Sequence, residues 1–293
     1  MEGFIDTLNG VIWSNALVYL CLGAGAYFTL VTLFLQIRCL PDMIRQLKSG
    51  ESSEQGISSF QSLMISLAGR VGVGNIAGVA TAIAFGGPGA VFWMWLVALL
   101  GSATSFIECC LAQIYKETDR DTGEYRGGPA YYIEKAYKHT SAAPFMLVYA
   151  IIFAVCMLLA TSYFLPGIQA NGVAAAVDNA WGINIWVSAT IMTVLLAFII
   201  IGGVKRIANF ASMVVPFMAG IYIIIAIVVL FANASQIPEV FGTIVRAAFD
   251  KEAAFSGMLG AAIMWGVKRG IYSNEAGQGT GPQSAAAAEV SHP

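Results

Sequence analysis

The residues from Ala68 to Gly78, Ala-Gly-Arg-Val-Gly-Val-Gly-Asn-Ile-Ala-Gly, carry the most chemically capable pattern in the chain. They lie inside an apolar stretch from Phe60 to Phe85, long enough to cross a bilayer as a helix. An arginine at membrane depth is costly unless paired or wetted. Each glycine costs about 1 kcal/mol relative to alanine inside a helix. A helix that carries both is predicted to break at its middle, over 69–78. Broken backbone is tolerated at that depth only where it is buried in protein or lines a cavity. Its free N–H groups can hold a carboxylate, and its free carbonyls a hard cation. Gly72 and Gly74 are the candidate carboxylate cradle, with Asn75 as a side-chain partner. Close helix packing is the alternative use of these glycines.

The pattern recurs. Arg70-x4-Asn75-x-Ala77-Gly78 is repeated as Arg269-x4-Asn274-x-Ala276-Gly277 after the apolar run Met258–Met264. Two interrupted apolar segments in corresponding places point to a site built from an internal repeat. Asn274 mirrors Asn75 as a substrate-binding candidate. Trp265, just before the second break, is an aromatic gate or a packing aromatic. Lys268, Arg269 and Glu275 form a gate network or, the favoured reading, stabilise a wet inner vestibule. Arg70 can pair with Glu275 across the repeats, or with Glu108. Gln169 and Asn171 offer amides that donate and accept, suited to either end of an amino acid. Interhelical hydrogen bonding is their alternative, and Gln169 is the preferred site residue of the two.

Composition sets the class. Of 293 residues, 58% are hydrophobic and 11% charged, against about 25% charged in soluble domains. The chain reads as an all-α polytopic membrane protein. A net charge of −2 with no basic tail gives no sign of nucleic-acid binding. The cysteines (Cys21, Cys39, Cys109, Cys110 and Cys156) are odd in number and lack C-x-x-C, so they read as buried thiols. With His139 and His292 alone, no zinc or haem site is expected. Gly72-x-Gly74-x-x-x-Gly78 lacks the preceding strand and acidic partner of a dinucleotide loop. No catalytic motif appears, so no enzyme and no cofactor are expected. No cleaved signal peptide is evident.

The spans follow in order: Val11–Ile37, Phe60–Phe85, Val91–Tyr115, Phe145 to about Val177, Ile183–Ile201, Ile207–Phe231, then a second broken helix from Ala253. Pro238–Asp250 reads as a short interfacial helix. Lysines and arginines concentrate at 38–48, 116–138 and 205–206. These loops are predicted to be cytoplasmic and the N-terminus outside. The organisation is an extra N-terminal helix (1–40), a five-helix repeat (57–232), an interfacial helix (236–250), and the first helix of an inverted second repeat (253–293). The expected architecture is an incomplete five-plus-five inverted repeat, a fragment of a longer protein.

Gly86-Gly-Pro-Gly-Ala-Val-Phe-Trp-Met-Trp-Leu-Val-Ala-Leu-Leu-Gly101 resembles the signature of the alanine/glycine:cation symporter family. Gly72–Gly78, Gly127–Tyr132 and Ser273–Gly277 look like further blocks of that family, and the match covers essentially the whole chain. The resemblance implies an amino acid–polyamine–organocation fold in a cell membrane, with import of alanine or glycine coupled to Na+. It implies that about a third of a full-length member is missing at the C-terminus. By resemblance to related folds, the backbone carbonyls of Ala68 and Val71 are cation-binding candidates. Arg70 and Val73 stand where some members carry smaller or hydroxyl residues. H+ coupling through Glu108 or Glu275 is the alternative. A channel would favour rings of like residues in a symmetric oligomer. The lipid bilayer is an expected partner, and the oligomeric state is unknown.

Overall fold

The computed structural model describes residues 2–49, 53–249 and 258–291. Helices α1 (Glu2–Ile12), α2 (Asn15–Val31), α3 (Leu35–Arg38) and α4 (Leu40–Ser49) come first. The predicted broken helix is α5 (Ser59–Arg70) followed by α6 (Val73–Gly86), and α7 (Gly89–Tyr115) completes this part. A two-stranded antiparallel hairpin, β1 (Glu117–Thr118) with β2 (Tyr125–Arg126), leads to α8 (Pro129–Ala136). Helices α9 (Ala143–Leu159), α10 (Leu165–Trp181), α11 (Ile185–Ile200), α12 (Gly203–Ala232) and α13 (Ile237–Ala248) follow. The second broken helix is α14 (Met258–Asn274) and α15 (Thr280–Ala286).

The segments Asn9–Val31, Ser59–Gly86, Gly89–Tyr115, Ala143–Trp181 and Gly203–Ala232 are long and apolar enough to span a membrane, and Ile185–Ile200 is a shorter apolar helix. Phe145, Trp186, Phe217 and Phe231 are each 70–79% exposed. Helices that turn large apolar side chains outward on this scale have lipid as their solvent. The chain is an all-α polytopic membrane protein.

Several predicted boundaries move. The first span stops at Val31, not Ile37, because Leu33 and Phe34 take left-handed backbone (φ +55 and +56). The Phe145–Val177 run is one span from Ala143 to Trp181. Its irregularity is a π-helical turn, Ala160–Phe164, just before Pro166, whose missing N–H interrupts the hydrogen-bond ladder at that point without ending the helix. Pro216 lies inside α12 without ending it. The predicted interfacial helix is α13, which docks on α7 through Phe92–Phe249 and Trp95–Phe241 at ring separations of 4.8 and 5.5 Å. The predicted starting point of the second broken helix, Ala253, lies outside the described residues, as does Asp250. The thiols are half-buried, and Cys156 is exposed, so the buried-thiol expectation fails on a lipid-facing helix.

Contacts divide the chain into two compact units. The first comprises 1–44, 74–107 and 220–278; the second comprises 45–73, 108–219 and 279–293. Both helix breaks fall at unit boundaries, 73/74 and 278/279. In the first unit, α6 buries Gly74, Gly78, Ala82 and Gly86, a small residue at every fourth position. That stripe lets α14 approach: a Cβ on Gly86 would lie 2.8 Å from Trp265 Cβ. Further along, α14 presents Gly266, Gly270 and Asn274 to α7. Val18, Val97, Val267 and Ile271 form a buried apolar cluster among α2, α7 and α14.

In the second unit, Ser58 and Gln61 form a reciprocal cap on α5, Gln61 N–H to Ser58 Oγ and Ser58 N–H to Gln61 Oε1. Met64 packs with Ala211 and Val215 of α12. The Gly127-Gly128-Pro129 turn meets α15: a Cβ on Gly127 would come within 2.7 Å of Ala286 Cβ.

Candidate functional site

The first break is narrower than its sequence suggests. The Val71 N–H closes α5 on the Leu67 carbonyl at 3.0 Å. Helix α6 begins at Val73, so only Val71 and Gly72 are unwound, not 69–78. Gly74, Asn75 and Gly78 are helical instead. The first N–H groups of a helix and the last carbonyls of its predecessor have no helical partners. Gln169 of α10 supplies one. Its Oε1 accepts from the Val73 N–H at 3.0 Å. Glycine at 72 admits that amide: a Cβ there would lie 3.0 Å from Gln169 Oε1 and 3.2 Å from Nε2. Three residues on, Gly172 takes the Val73 side chain, with a hypothetical Cβ 2.6 Å from Val73 Cγ2. One face of α10 therefore fixes the break, and Asn171 is exposed. Ala68 is exposed and Val71 half-buried at the end of α5, while Arg70 closes that helix.

The second break spans 275–279. Glu275 adopts φ +57, which costs a non-glycine residue about 1–2 kcal/mol. Gly277 and Gly279 have φ +82 and +85. The Glu275 N–H bonds the Ile271 carbonyl at 3.0 Å, and Gln278 Nε2 donates to the same carbonyl at 3.0 Å. Asn274 is a fastener here. Its Oδ1 accepts from the Ala276 N–H at 2.9 Å, and its Nδ2 donates to the Val97 carbonyl at 3.1 Å. Trp265 lies more than two turns before the break, stacked on Phe85 at 4.9 Å between ring centroids. The Arg269 guanidinium lies 5.4 Å from the Trp265 ring, and Lys268 faces Trp13 at 5.9 Å. Glu108 is buried in α7.

Sequence reasoning missed three features. Tyr272 lies against the first turn of α6: a Cβ on Gly74 would come 2.5 Å from its Cε1. Ser62, Ser66 and Ser284 form a polar seam between α5 and α15. Ser62 Oγ donates to the Ser284 carbonyl at 2.8 Å, Ser66 and Ser284 hydroxyls meet at 2.6 Å, and Ser284 Oγ donates to the Gly281 carbonyl at 2.9 Å. Beyond α15, Ile57 bridges Ala288 in parallel, its N–H bonding Ala287 O at 2.9 Å while Glu289 N–H bonds Ile57 O at 2.8 Å.

Polar groups clasp that bridge. Glu289 Oε2 accepts from Ser53 Oγ at 2.6 Å and Tyr125 Oη at 3.0 Å. Lys116 Nζ donates to the Ala288 carbonyl at 2.8 Å and lies 3.8 Å from the centre of the Tyr125 ring. The Ser53 hydrogen bond, aided by Tyr125 and Lys116, holds the Glu289 carboxyl below the ordinary carboxylate range. Burial pushes the Lys116 ammonium down, and Glu289 opposes that shift. Burial pushes the Tyr125 phenol up, and its bond to Glu289 adds to the rise.

Two helices interrupted at matching motifs, among helices that turn apolar side chains to lipid, define a polytopic membrane protein. A match to the sodium:alanine symporter family runs over residues 1–293, and the chain belongs to that family. It is 55% identical over 293 residues to YrbD of Bacillus subtilis, provisionally named a sodium/proton-dependent alanine carrier protein. It is 45% identical over 295 residues to GlnT of the same organism, provisionally named a sodium/glutamine symporter. It is 41% identical over 292 residues to the sodium/alanine symporter AgcS of Methanococcus maripaludis. These alignments cover 100%, 100% and 99% of this chain and 59%, 60% and 64% of the respective relatives. The chain thus spans about 60% of the length of the curated relatives it matches.

Proposed function

We propose that the whole protein is a secondary active symporter importing a small neutral amino acid, alanine or glycine, coupled to Na+. The carrying observation is the pair of breaks at matching Arg-x4-Asn-x-Ala-Gly motifs in a chain of this family. No covalent chemistry is needed and no cofactor enters; Na+ is cargo and driving ion. The substrate carboxylate is held at the start of α6, where free N–H groups and the positive helix end favour an anion. Gly74 and Asn75 lie in that first turn. In the second unit, Gln169 and Gly72 shape the break. Asn274 and Trp265 are proposed to shape the substrate-side surface of α14 rather than to bind first. The carbonyls of Ala68 and Val71, at the open end of α5, are the proposed cation ligands. Arg70, Glu108, Lys268, Arg269 and Glu275 are proposed as gating or vestibule charges. The N-terminus lies outside the cell membrane, and the basic loops lie inside.

The test is labelled-alanine uptake by the full-length protein in proteoliposomes. An inward Na+ gradient is compared with K+ and with a pH gradient alone, with glycine and glutamine as competitors. Na+-driven uptake reduced by Asn75→Ala is the expected result. Uptake driven only by the pH gradient overturns the Na+ assignment. Preference for glutamine overturns the substrate assignment.

A further inference from the structure

We propose that α4 (Leu40–Ser49) is a membrane-surface helix that lies along the bilayer interface and binds the headgroups of anionic phospholipids, with Arg45 as the principal contact and Arg38 and Lys48 beside it. This role depends on the membrane class of the chain and not on what the chain transports.

The place of α4 follows from the turn that precedes it. The first span ends at Val31. Leu33 and Phe34 then take left-handed backbone, and their N–H groups bond the Leu30 and Thr29 carbonyls at 3.0 and 2.8 Å. Gln36 Nε2 donates to Thr29 Oγ1 at 3.2 Å, and Arg38 Nη2 donates to the Thr32 carbonyl at 3.3 Å. Cys39 N–H bonds the Leu35 carbonyl at 2.8 Å, and Met43 N–H bonds the Cys39 carbonyl at 2.9 Å. The chain is thus hydrogen-bonded, without a slack linker, from the end of the span into α4. That keeps α4 near the level at which the span leaves the membrane.

The faces of α4 decide what it meets there. Successive residues of a helix turn by about 100°. Leu40, Met43, Ile44 and Leu47 therefore share one arc about 100° wide, and Asp42, Arg45, Gln46 and Ser49 fall outside it. Leu40 and Ile44 are each 53% exposed, and no described element of the chain covers them. A helix of ten residues is marginal in water on its own, so its apolar arc needs a cover. Lipid is already at hand. Val31, Leu33, Phe34 and Ile37 are 50–64% exposed and lead the lipid-facing surface of the span along the chain to Leu40.

Charge selects the lipid. Residues 38–49 hold three basic residues and one acid, in a chain whose net charge is −2. Arg45 is exposed and makes no ion pair among the described residues. A helix with an apolar arc bordered by cations settles at the junction of headgroups and acyl chains, arc inward. A guanidinium at that level meets phosphate oxygens, which it can bind with two parallel hydrogen bonds. A net negative headgroup adds a Coulomb attraction that a zwitterionic one lacks.

The experiment uses the full-length protein in phosphatidylcholine bilayers that contain phosphatidylglycerol. A fluorophore is placed at Ile44→Cys or Gln46→Cys after the native cysteines are replaced by alanine. Lipids brominated on their acyl chains quench from the membrane, and acrylamide quenches from water. The probe at 44 should be quenched by brominated lipid and the probe at 46 by acrylamide. At equal mole fraction, brominated phosphatidylglycerol should quench the probe at 44 more than brominated phosphatidylcholine does. Arg45→Gln should cut that preference about fivefold, the factor that one cation near an anionic surface contributes. High salt should cut it further. Arg120→Gln, which removes an exposed charge between β1 and β2, should leave it unchanged. Quenching at 44 by acrylamide, or by neither agent, overturns the proposal; the second outcome means that a protein segment or a second copy of the chain covers the arc. Equal quenching by the two brominated lipids overturns the headgroup assignment, as does an equal effect of Arg45→Gln and Arg120→Gln.

Discussion

Glu289→Ala should loosen the bridge between Ile57 and Ala288 and leave the rest of the bundle intact. The carboxylate accepts two hydrogen bonds on one oxygen, from Ser53 and Tyr125. Bonds to a charged acceptor are worth about 1.5–3 kcal/mol each when buried. Glu289, Ser53 and Tyr125 are only half-buried, so water competes, and about 0.5–1 kcal/mol each is the reasonable share. The expected loss is therefore about 1–2 kcal/mol, a factor of about 5–30 in the local opening equilibrium. Amide hydrogen exchange reads this directly. The Ile57 and Glu289 N–H groups, which bond across the bridge, should exchange about 5–30 times faster in the variant. The effect has a defined pH window. Because the folded carboxyl titrates below its ordinary value of about 4.3, its contribution is complete above that value and is lost as pH falls through the lower folded one. Glu289→Gln, which cannot ionise, should therefore differ from the wild type at pH 7 and converge with it in acid. Equal exchange at Ile57 in wild type and Glu289→Ala at pH 7 would refute the reasoning. So would an acceleration spread evenly to α11.

Two further substitutions probe close packing. Gly266→Ala puts a Cβ 2.5 Å from the Ala90 carbonyl oxygen and 2.6 Å from Trp93 Cβ, where backbone cannot swing aside. A loss of about 1–3 kcal/mol should appear as a lower melting temperature in detergent. Gly260→Ala in the same helix meets nothing within 4 Å and should be neutral or stabilising by up to about 1 kcal/mol, so equal behaviour of the two defeats the packing account. Ser284→Ala removes the hydroxyl shared by Ser66 and the Gly281 carbonyl, at an expected cost of about 1–2 kcal/mol. In a double-mutant cycle, Ser66→Ala should couple to it by more than about 0.5 kcal/mol; additive effects would show that the 2.6 Å contact does not stabilise the seam.

Much of the architecture is visible in the chain as a string. Apolar runs of spanning length fix the class because lipid requires every backbone group to bond within its own helix. The two Arg-x4-Asn-x-Ala-Gly copies mark where helices stop, because glycine and charge are poor occupants of a buried helix. The extent of each stop is a different matter. Gly74, Asn75 and Gly78 read as loop, yet they are helical, since α6 uses its glycines as a flat face for α14. Propensity penalises glycine in a helix, and close packing in the bundle outweighs that penalty. The extra unwinding of the second copy follows from left-handed Glu275, which no local pattern announces.

Among the side chains, the sequence singled out Gln169 by its type, an amide in an apolar helix. Only the fold shows that it satisfies the Val73 N–H across 96 residues of chain. Asn274 matched Asn75 by register, but tertiary contacts commit both ends of its amide to Ala276 and Val97. Tyr272 and Ser284 carried no signal, because one aromatic and one serine in an apolar run are unremarkable until a neighbour approaches. Hydrophobic length and glycine placement are local and survive in the sequence, so they determined the membrane class and the sites of interruption. Which polar atom meets which partner depends on residues brought together from distant segments, and that was decided by the packing of the helices alone.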